Sequence, residues 1–477
     1  MKTTLSAFIF FFVSFMSVNI VHAEKSYGCV SGNCQDGKGK YHWVEGGRYE
    51  GEFVSGQPTG TGTFYWLAGD RYKGQFLTGQ PHGEGRYFYS NGDSYEGDFV
   101  KGKRTGKGKF FYVSGDRYEG DFVNGQPTGQ GKIFYADGGR YEGGFAQDKP
   151  SGQGKFFYAN GNRYEGNFVS GKQSGSGTFF WADGDRYEGD FIEGQRNGTG
   201  KLFYATGDRY EGGFINGQRT GKGEFFYATG DRYIGDFERD RPVGKGVFYW
   251  AEGDRYEGGF LNDLPHGEGK FFYANGDRYE GHFELGQQTG RGVFYWAEGD
   301  RYEGNFKQGE PSGMGKFFYV DGNLYEGELT KGLFHGKGIF ISANGDSYEG
   351  EYVNGRQTGK GKITWANGGY YEGDFIDGQQ IGVGKIVWTS GDSYEGDFAN
   401  GQPHGKGVFH FQNGDRYEGG FLKGRQTGVG KIIWIDGDSY EGDFMNGQAH
   451  GVGTHTSADG NTTSGTWENS RIIKVQD

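Results

Sequence analysis

The side chains able to do chemistry are ten histidines, two cysteines and a surplus of carboxylates, 62 Asp and Glu against 50 Lys and Arg. A metal centre needs three or four ligands converging on one point. His82, His266, His335, His404 and His450 instead stand one at a time, each just before the first glycine of a Gly-x-Gly pair and separated by multiples of 23 residues. Other copies of the same position hold Thr, Ser, Asn, Val or Ile. They are expected to be structural loop residues, and no metal is expected. A general acid is one carboxyl in a special place. Here Glu follows a recurring tyrosine in every copy except those with Lys73 and Ile234. Asp-Gly-Asp turns such as Asp183-Gly184-Asp185 suggest calcium, but secreted calcium-binding β-rolls repeat every nine residues and this chain does not. There is no Gly-x-Ser-x-Gly elbow between a strand and a helix. No Gly-Lys pair is followed by Ser or Thr, so there is no phosphate loop. The expectation is a chain without catalytic residues or cofactor.

Cys29 and Cys34 are the two cysteines. A disulfide between them is the simplest reading in an oxidising compartment, with two free thiols as the alternative. Oxidising surroundings are expected from residues 1–23. Lys2 precedes an apolar run from Leu5 to Val21, and Val21-His22-Ala23 offers small residues at a cleavage position. This reads as a secretory signal peptide, against the alternative of a retained membrane anchor. The mature protein is then expected to be secreted or periplasmic. Its net charge of −12 is spread without runs of one sign. No basic stripe exists to follow a phosphate backbone, so nucleic acid is not expected as a partner. Binding to anionic membrane by charge alone is disfavoured for the same reason.

What must position all these groups is a repeat. Glycine supplies 100 of 477 residues, beside 34 Tyr and 43 Phe, with 8 prolines and no three-residue glycine period. Collagen and disordered tails are excluded by that combination. A Tyr recurs every 23 residues from Tyr49 to Tyr440, marking eighteen copies. In the copy Tyr95–Arg117, YEGDFVKGKRTGKGKFFYVSGDR, the glycines at Gly97, Gly106 and Gly108 have counterparts in every copy. Phe99 has a Phe counterpart in all copies but those with Leu329 and Tyr352. Two alternating stretches, Tyr95–Val100 and Gly106–Tyr112, separated by glycine and polar clusters, predict one β-hairpin per repeat. The turn Val113-Ser114-Gly115-Asp116 is expected to give its glycine a positive φ. Nothing in the mature chain shows a helical period.

Parity places Tyr95, Gly97, Phe99, Gly108 and Phe110 on one face. The register expected within that face sets Tyr95 opposite Tyr112, Gly97 opposite Phe110 and Phe99 opposite Gly108. Each Phe would then lie between glycines, and Lys109 would fall between Asp98 and Asp121. The fold class is therefore an all-β, elongated single-layer antiparallel β-meander. Strands about 4.8 Å apart would make eighteen hairpins a rod on the order of 170 Å. The domain reading is a signal peptide at 1–23, an N-terminal capping partial repeat at 24–48 carrying Cys29 and Cys34, eighteen repeats over 49–462, and a degenerate C-terminal cap at 463–477 in which Gly465 and Trp467 keep their positions.

The pattern YEGDF…NGQPTGQGKIFYADG resembles MORN repeats (membrane occupation and recognition nexus) over essentially the whole mature chain. The resemblance implies a hairpin per repeat in one elongated, twisted sheet, and scaffolding, often through self-association, with membrane lipid as a partner of some members. Such repeats also adorn certain phosphatidylinositol phosphate kinases, but no residues outside the repeats are left here to build a kinase domain. The expected function is an extracytoplasmic, non-catalytic scaffold binding a protein partner or itself. A carbohydrate-binding rod is the alternative, with peripheral phospholipid after it. The second strand mostly ends Phe-Phe-Tyr or Phe-Tyr-Trp up to about Tyr319, and turns aliphatic beyond Tyr325, as in Ile363-Thr364-Trp365, Ile386-Val387-Trp388 and Ile432-Ile433-Trp434. Trp365, Trp388 and Trp434 are the candidate interaction residues, and the two stretches are read as two surfaces or as ordinary divergence.

Overall fold

The computed structural model describes residues 26–476, and the signal-peptide reading of residues 1–23 lies outside them. The described residues contain no helix and forty strands, mostly alternating between seven and nine residues. Consecutive strands pair antiparallel in a single-layer meander, one hairpin per repeat, as the periodicity predicts. Two compact units divide between Gly223 and Glu224, inside the strand Gln218–Phe226. In the first unit the pairing runs hairpin after hairpin from Ser26–Gly32 to Arg209–Ile215. In the second it runs from Arg232–Glu238 to Arg471–Val475.

Two kinds of turn make the meander. Ser94–Val100 and Lys103–Phe111 are joined by Lys101 and Gly102 alone, with φ of 46° and 76°. Left-handed backbone at both residues matches the right-handed twist of the strands it joins. The copy at Tyr233 keeps this turn with Arg239 and Asp240, at φ 48° and 68°, in place of the usual glycine. At the hairpin's other end, Tyr112 N donates to Asp116 O (2.9 Å) and Gly115, at φ 95°, donates to Tyr112 O (2.9 Å). Successive turns of this second kind are tied together. Asp93 Oδ1 accepts from the N–H of Val113 (2.7 Å), and Asp116 Oδ1 from that of Ala136 (2.8 Å).

The register differs from the expected one by two residues at Tyr95 and Gly97 and by four at Phe99. Tyr95 lies opposite Phe110 rather than Tyr112, and Gly97 opposite Gly108 rather than Phe110. Phe99 pairs with Arg104, and on the next strand Phe122 pairs with Gly106. The two-residue turn at Lys101-Gly102 sets the four-residue difference at Phe99. A bulge between Gly97–Asp98 and Thr105–Gly108, which leaves Gly106 and Lys107 unmatched within the hairpin, brings it back to two at Gly97 and Tyr95. Gly106 turns the bulge at φ 60°, a conformation other residues adopt only under strain. Lys109 consequently faces Glu96 and Glu119 instead of Asp98 and Asp121. The second strand also starts at Lys103, three residues before Gly106, because the tight turn lets Val100 pair with Lys103. The histidine position is therefore in a strand, His82 lying within Gln80–Phe88, and not in a loop.

An even shift preserves parity, so the face is as predicted while its packing is different. The ring that covers glycine is the tyrosine. Tyr95 is fully buried, lying along its own strand over Gly97 and across to Gly108. Its hydroxyl donates to the carbonyl of Asp98 (3.2 Å), and Tyr118 does the same to Asp121 (3.0 Å). Phe99 stands edge-on to Tyr95 (5.1 Å between centroids), and Phe122 of the next repeat closes its other side (4.9 Å). Each such edge-on pair adds about 0.5–1.5 kcal/mol beyond the area it buries. Where Leu329 replaces the Phe, Phe334 stacks on Tyr325 instead (3.6 Å, 10° between planes). At the C-terminal end Trp467 takes the Phe place against Tyr440 (5.0 Å), so residues read as a degenerate cap finish the ladder as a hairpin. At the N-terminal end Cys29 and Cys34 are joined in a disulfide beside the first hairpin.

Candidate interaction surfaces

The ring-bearing face has two rows. The inner one, of Tyr95 and Phe99 type, is closed: Tyr95 is 0% and Phe99 2% exposed. Burial away from water raises these phenols above their ordinary range, to about 12 at Tyr141 and Tyr187. The outer row pairs Phe110, which is buried, with Tyr112, which is half-buried (4.5 Å between centroids). Trp365, Trp388 and Trp434 belong to this outer row, where earlier copies hold Trp66 or Tyr112. All three are half-buried. Trp388 stacks on Phe409 (5.5 Å), and Trp434 lies 5.9 Å from the His455 ring. Each opens its turn by a backbone hydrogen bond, as Trp365 N does to Gly369 O (2.8 Å). Trp365 and Trp388 come from adjacent repeats, Phe411 occupies the next copy of the position, and Trp434 follows it.

The opposite face is polar. Lys109 reaches Glu119 across strands (3.7 Å), and Lys107 reaches Asp121 (2.5 Å). Contact with Lys107 holds the Asp121 carboxyl below its ordinary range. Arg117 contacts Glu119 on its own strand (3.1 Å) and lays its guanidinium over the Phe134 ring (4.4 Å to the centroid). This Arg–ring–Glu–Lys arrangement was missed in the sequence, although its signal was there: an Arg directly before the tyrosine goes with an aromatic at the Phe134 position. In the first unit the polar face forms an open trough of about 1080 Å³, floored by glycines such as Gly120, Gly131 and Gly143 and walled by Lys132 and Glu142.

The remaining chemical side chains do not converge. His266 and His282 are 6.5 Å apart between centroids, and His404 contributes a carbonyl to Tyr394 (3.1 Å). Among the described residues no three of His, Cys, Asp or Glu group closely enough to hold a metal ion.

A family model described as MORN repeat matches the chain in 19 consecutive segments, from 28–48 and 49–71 through to 440–462. The first segment falls in the stretch read from sequence as a partial-repeat cap. No curated protein matches the sequence. Among solved structures, the TCP domain of SAS-4 (dCPAP) of Drosophila melanogaster, in complex with a proline-rich motif of Ana2 (dSTIL), is similar at 15% identity. The alignment covers 37% of this chain and 90% of that one, with a TM-score of 0.23. The TCP10 domain of Danio rerio CPAP, in complex with a peptide of Danio rerio STIL, is 15% identical over 51% of this chain and 98% of that one, with a TM-score of 0.20. Virginiamycin B lyase from Staphylococcus aureus is 12% identical over 61% and 83% respectively, with a TM-score of 0.10. At this level of likeness nothing about function follows.

Proposed function

The chain belongs to the MORN-repeat family, and on that premise we propose that it is a non-catalytic scaffold of an extracytoplasmic compartment, holding a protein partner or a second copy of itself on its sheet faces. The observation that carries the reading is the use each repeat makes of its side chains. Tyr95, Gly97, Gly108 and Phe99 close one another off, and their copies do so at every step. What is left outward is a pair of broad faces carrying half-buried rings on one side and ion pairs on the other. Open, repetitive faces suit an extended partner better than a small substrate, which favours an enclosed site. The signal-like residues 1–23 and the Cys29–Cys34 disulfide support the compartment.

Chemical cross-linking of the full chain in the cells that make it, followed by mass spectrometry of the joined peptides, tests the proposal. The expected result is one defined protein, or the chain itself, joined through sheet-face residues. A second reading, carbohydrate binding, is favoured by the half-buried Trp365, Trp388 and Trp434 in one row. Retention on insoluble glycans that disappears when those three become Ala would replace the first reading by the second. Sedimentation with phospholipid vesicles would do the same for a lipid partner.

A further inference from the structure

The polar face changes character at Leu324. Before it, the Arg–ring–Glu arrangement recurs: Arg140 over Phe157 (4.4 Å), Arg278 over Tyr295 (4.2 Å) and Arg301 over Phe318 (4.3 Å). Arg278 also contacts Glu280 (3.0 Å), whose other side is met by Lys270 (3.2 Å), leaving that Glu 29% exposed. From Leu324 onward the Arg position holds Leu324, Ser347, Tyr370, Ser393 and Ser439, with Arg416 as the exception. The opposing ring becomes Ile341, Thr364, Val387, His410, Ile433 and Thr456. At Leu324, Ser347, Tyr370, Ser393 and Ser439 the Arg and the opposing ring are both lost, since either gains little from the contact without the other. Arg416 facing Ile433 and Ser94 facing Phe111 keep one member alone.

Removing that cover opens the glutamates. Glu395 and Glu441 keep one lysine each, Lys385 and Lys431, and both are 65% exposed. Aliphatic side chains appear beside them on the same face: Val383, Val429 and Val452 are 58%, 73% and 62% exposed. The stretch from Leu324 to the C-terminus holds 20 Asp and Glu against 13 Lys and Arg, more than half of the chain's negative excess in a third of its length. All of these residues lie in the second unit. Exposed aliphatics among half-neutralised carboxylates repel anionic lipid and nucleic acid and fit a partner that brings both apolar groups and positive charge.

We propose that the polar face of residues 324–456 is a docking surface for a basic amphipathic protein segment. Its aliphatic side chains cover the valines, and its Arg or Lys supplies to Glu395 and Glu441 what Arg278 supplies to Glu280 within the chain. The inference rests on the scaffold reading and names the chemistry of its partner.

The test uses the full mature chain and a fluorescent peptide of alternating Arg and Val residues, followed by anisotropy, with an alternating Glu and Val peptide as comparison. Restoring the upstream arrangement, by Ser393→Arg with His410→Phe and Ser439→Arg with Thr456→Phe, is expected to weaken Arg/Val binding at least tenfold. Glu395→Gln with Glu441→Gln is expected to do likewise. Asp377→Asn with Asp436→Asn, which removes equal charge at turns, is expected to leave binding unchanged. Equal losses from the turn pair and the face pair, no loss from either, or equal binding of the Glu/Val peptide would overturn the proposal. Cross-linking separates it from the reading beneath it. A protein partner joined only before Leu324 overturns this surface and keeps the scaffold, whereas no protein joined anywhere overturns the scaffold itself.

Discussion

A methyl group placed on Gly108 would stand 2.4 Å from the ring of Tyr95, with the same ring's hydroxyl 2.5 Å from a methyl on Gly97. Two glycines from neighbouring strands thus make the bed on which one phenol lies, and the sheet needs no second layer to bury it. Replacing Gly108 by Ala lifts that ring off the backbone. The expected cost is about 1–3 kcal/mol, typical of overpacking. Hydrogen exchange should report it as lost protection around Tyr95 and Phe122, with distant repeats unaffected, since each repeat leans only on its neighbours.

Burial of neutral phenols makes the fold sensitive to alkali. A raised folded-state pKa means that the folded chain keeps protons the unfolded chain gives up, so stability is complete below about pH 10 and falls as pH climbs through the raised values. At Tyr141 and Tyr187 those values are about 12. Phenolate absorbance followed beside circular dichroism should show the inner-row tyrosines ionising together with loss of the sheet. Independent ionisation of all tyrosines near pH 10 with the sheet intact would contradict their burial.

The register is open to a charge test. Lys109 meets Glu119 and not Asp98, so Lys109→Glu and Glu119→Lys made together should cost less than the sum of the two single changes, even though Glu96 and Arg117 keep facing the exchanged charges. The coupling expected of so exposed a pair is about 0.2–1 kcal/mol. Lys109→Asp combined with Asp98→Lys should show none. A double-mutant cycle on denaturant midpoints reads both.

Reducing the Cys29–Cys34 disulfide releases a short loop, worth about 2 kcal/mol by loop entropy. The first hairpin, Ser26–Gly32 with Gly37–Trp43, is expected to lose exchange protection under reductant while the strand Ser94–Val100 keeps it.

Much of this was legible in the residues. The 23-residue period gave the hairpins, and alternation put Tyr95, Gly97, Phe99, Gly108 and Phe110 on one side, where they are. The pairing within that side was not legible, because parity cannot see a shift of two residues. The tight turn at Lys101-Gly102 and the bulge at Gly106 set that shift between them, and the bulge glycine reads in sequence like the close-approach glycine at Gly108. Trp365, Trp388 and Trp434, named as candidate interaction residues, are half-buried, and Trp388 shares its row with Phe409. The Arg117–Phe134 contact was missed for a different reason: its two members lie in separate elements of the unit, and only the simultaneous loss of both types beyond Leu324 reveals that they belong together.

The bond from Val113 N to Asp93 Oδ1 runs one way: where these bonds occur, the later turn donates to an Asp or Asn side-chain oxygen laid down earlier. A ribosome delivers the acceptor before the donor. As synthesis proceeds, each emerging turn meets a docking point already folded, whereas a chain refolding from its C-terminal end would have to form turns ahead of their anchors. Growth of the meander from its N-terminal end adds each such donor to an acceptor already in place.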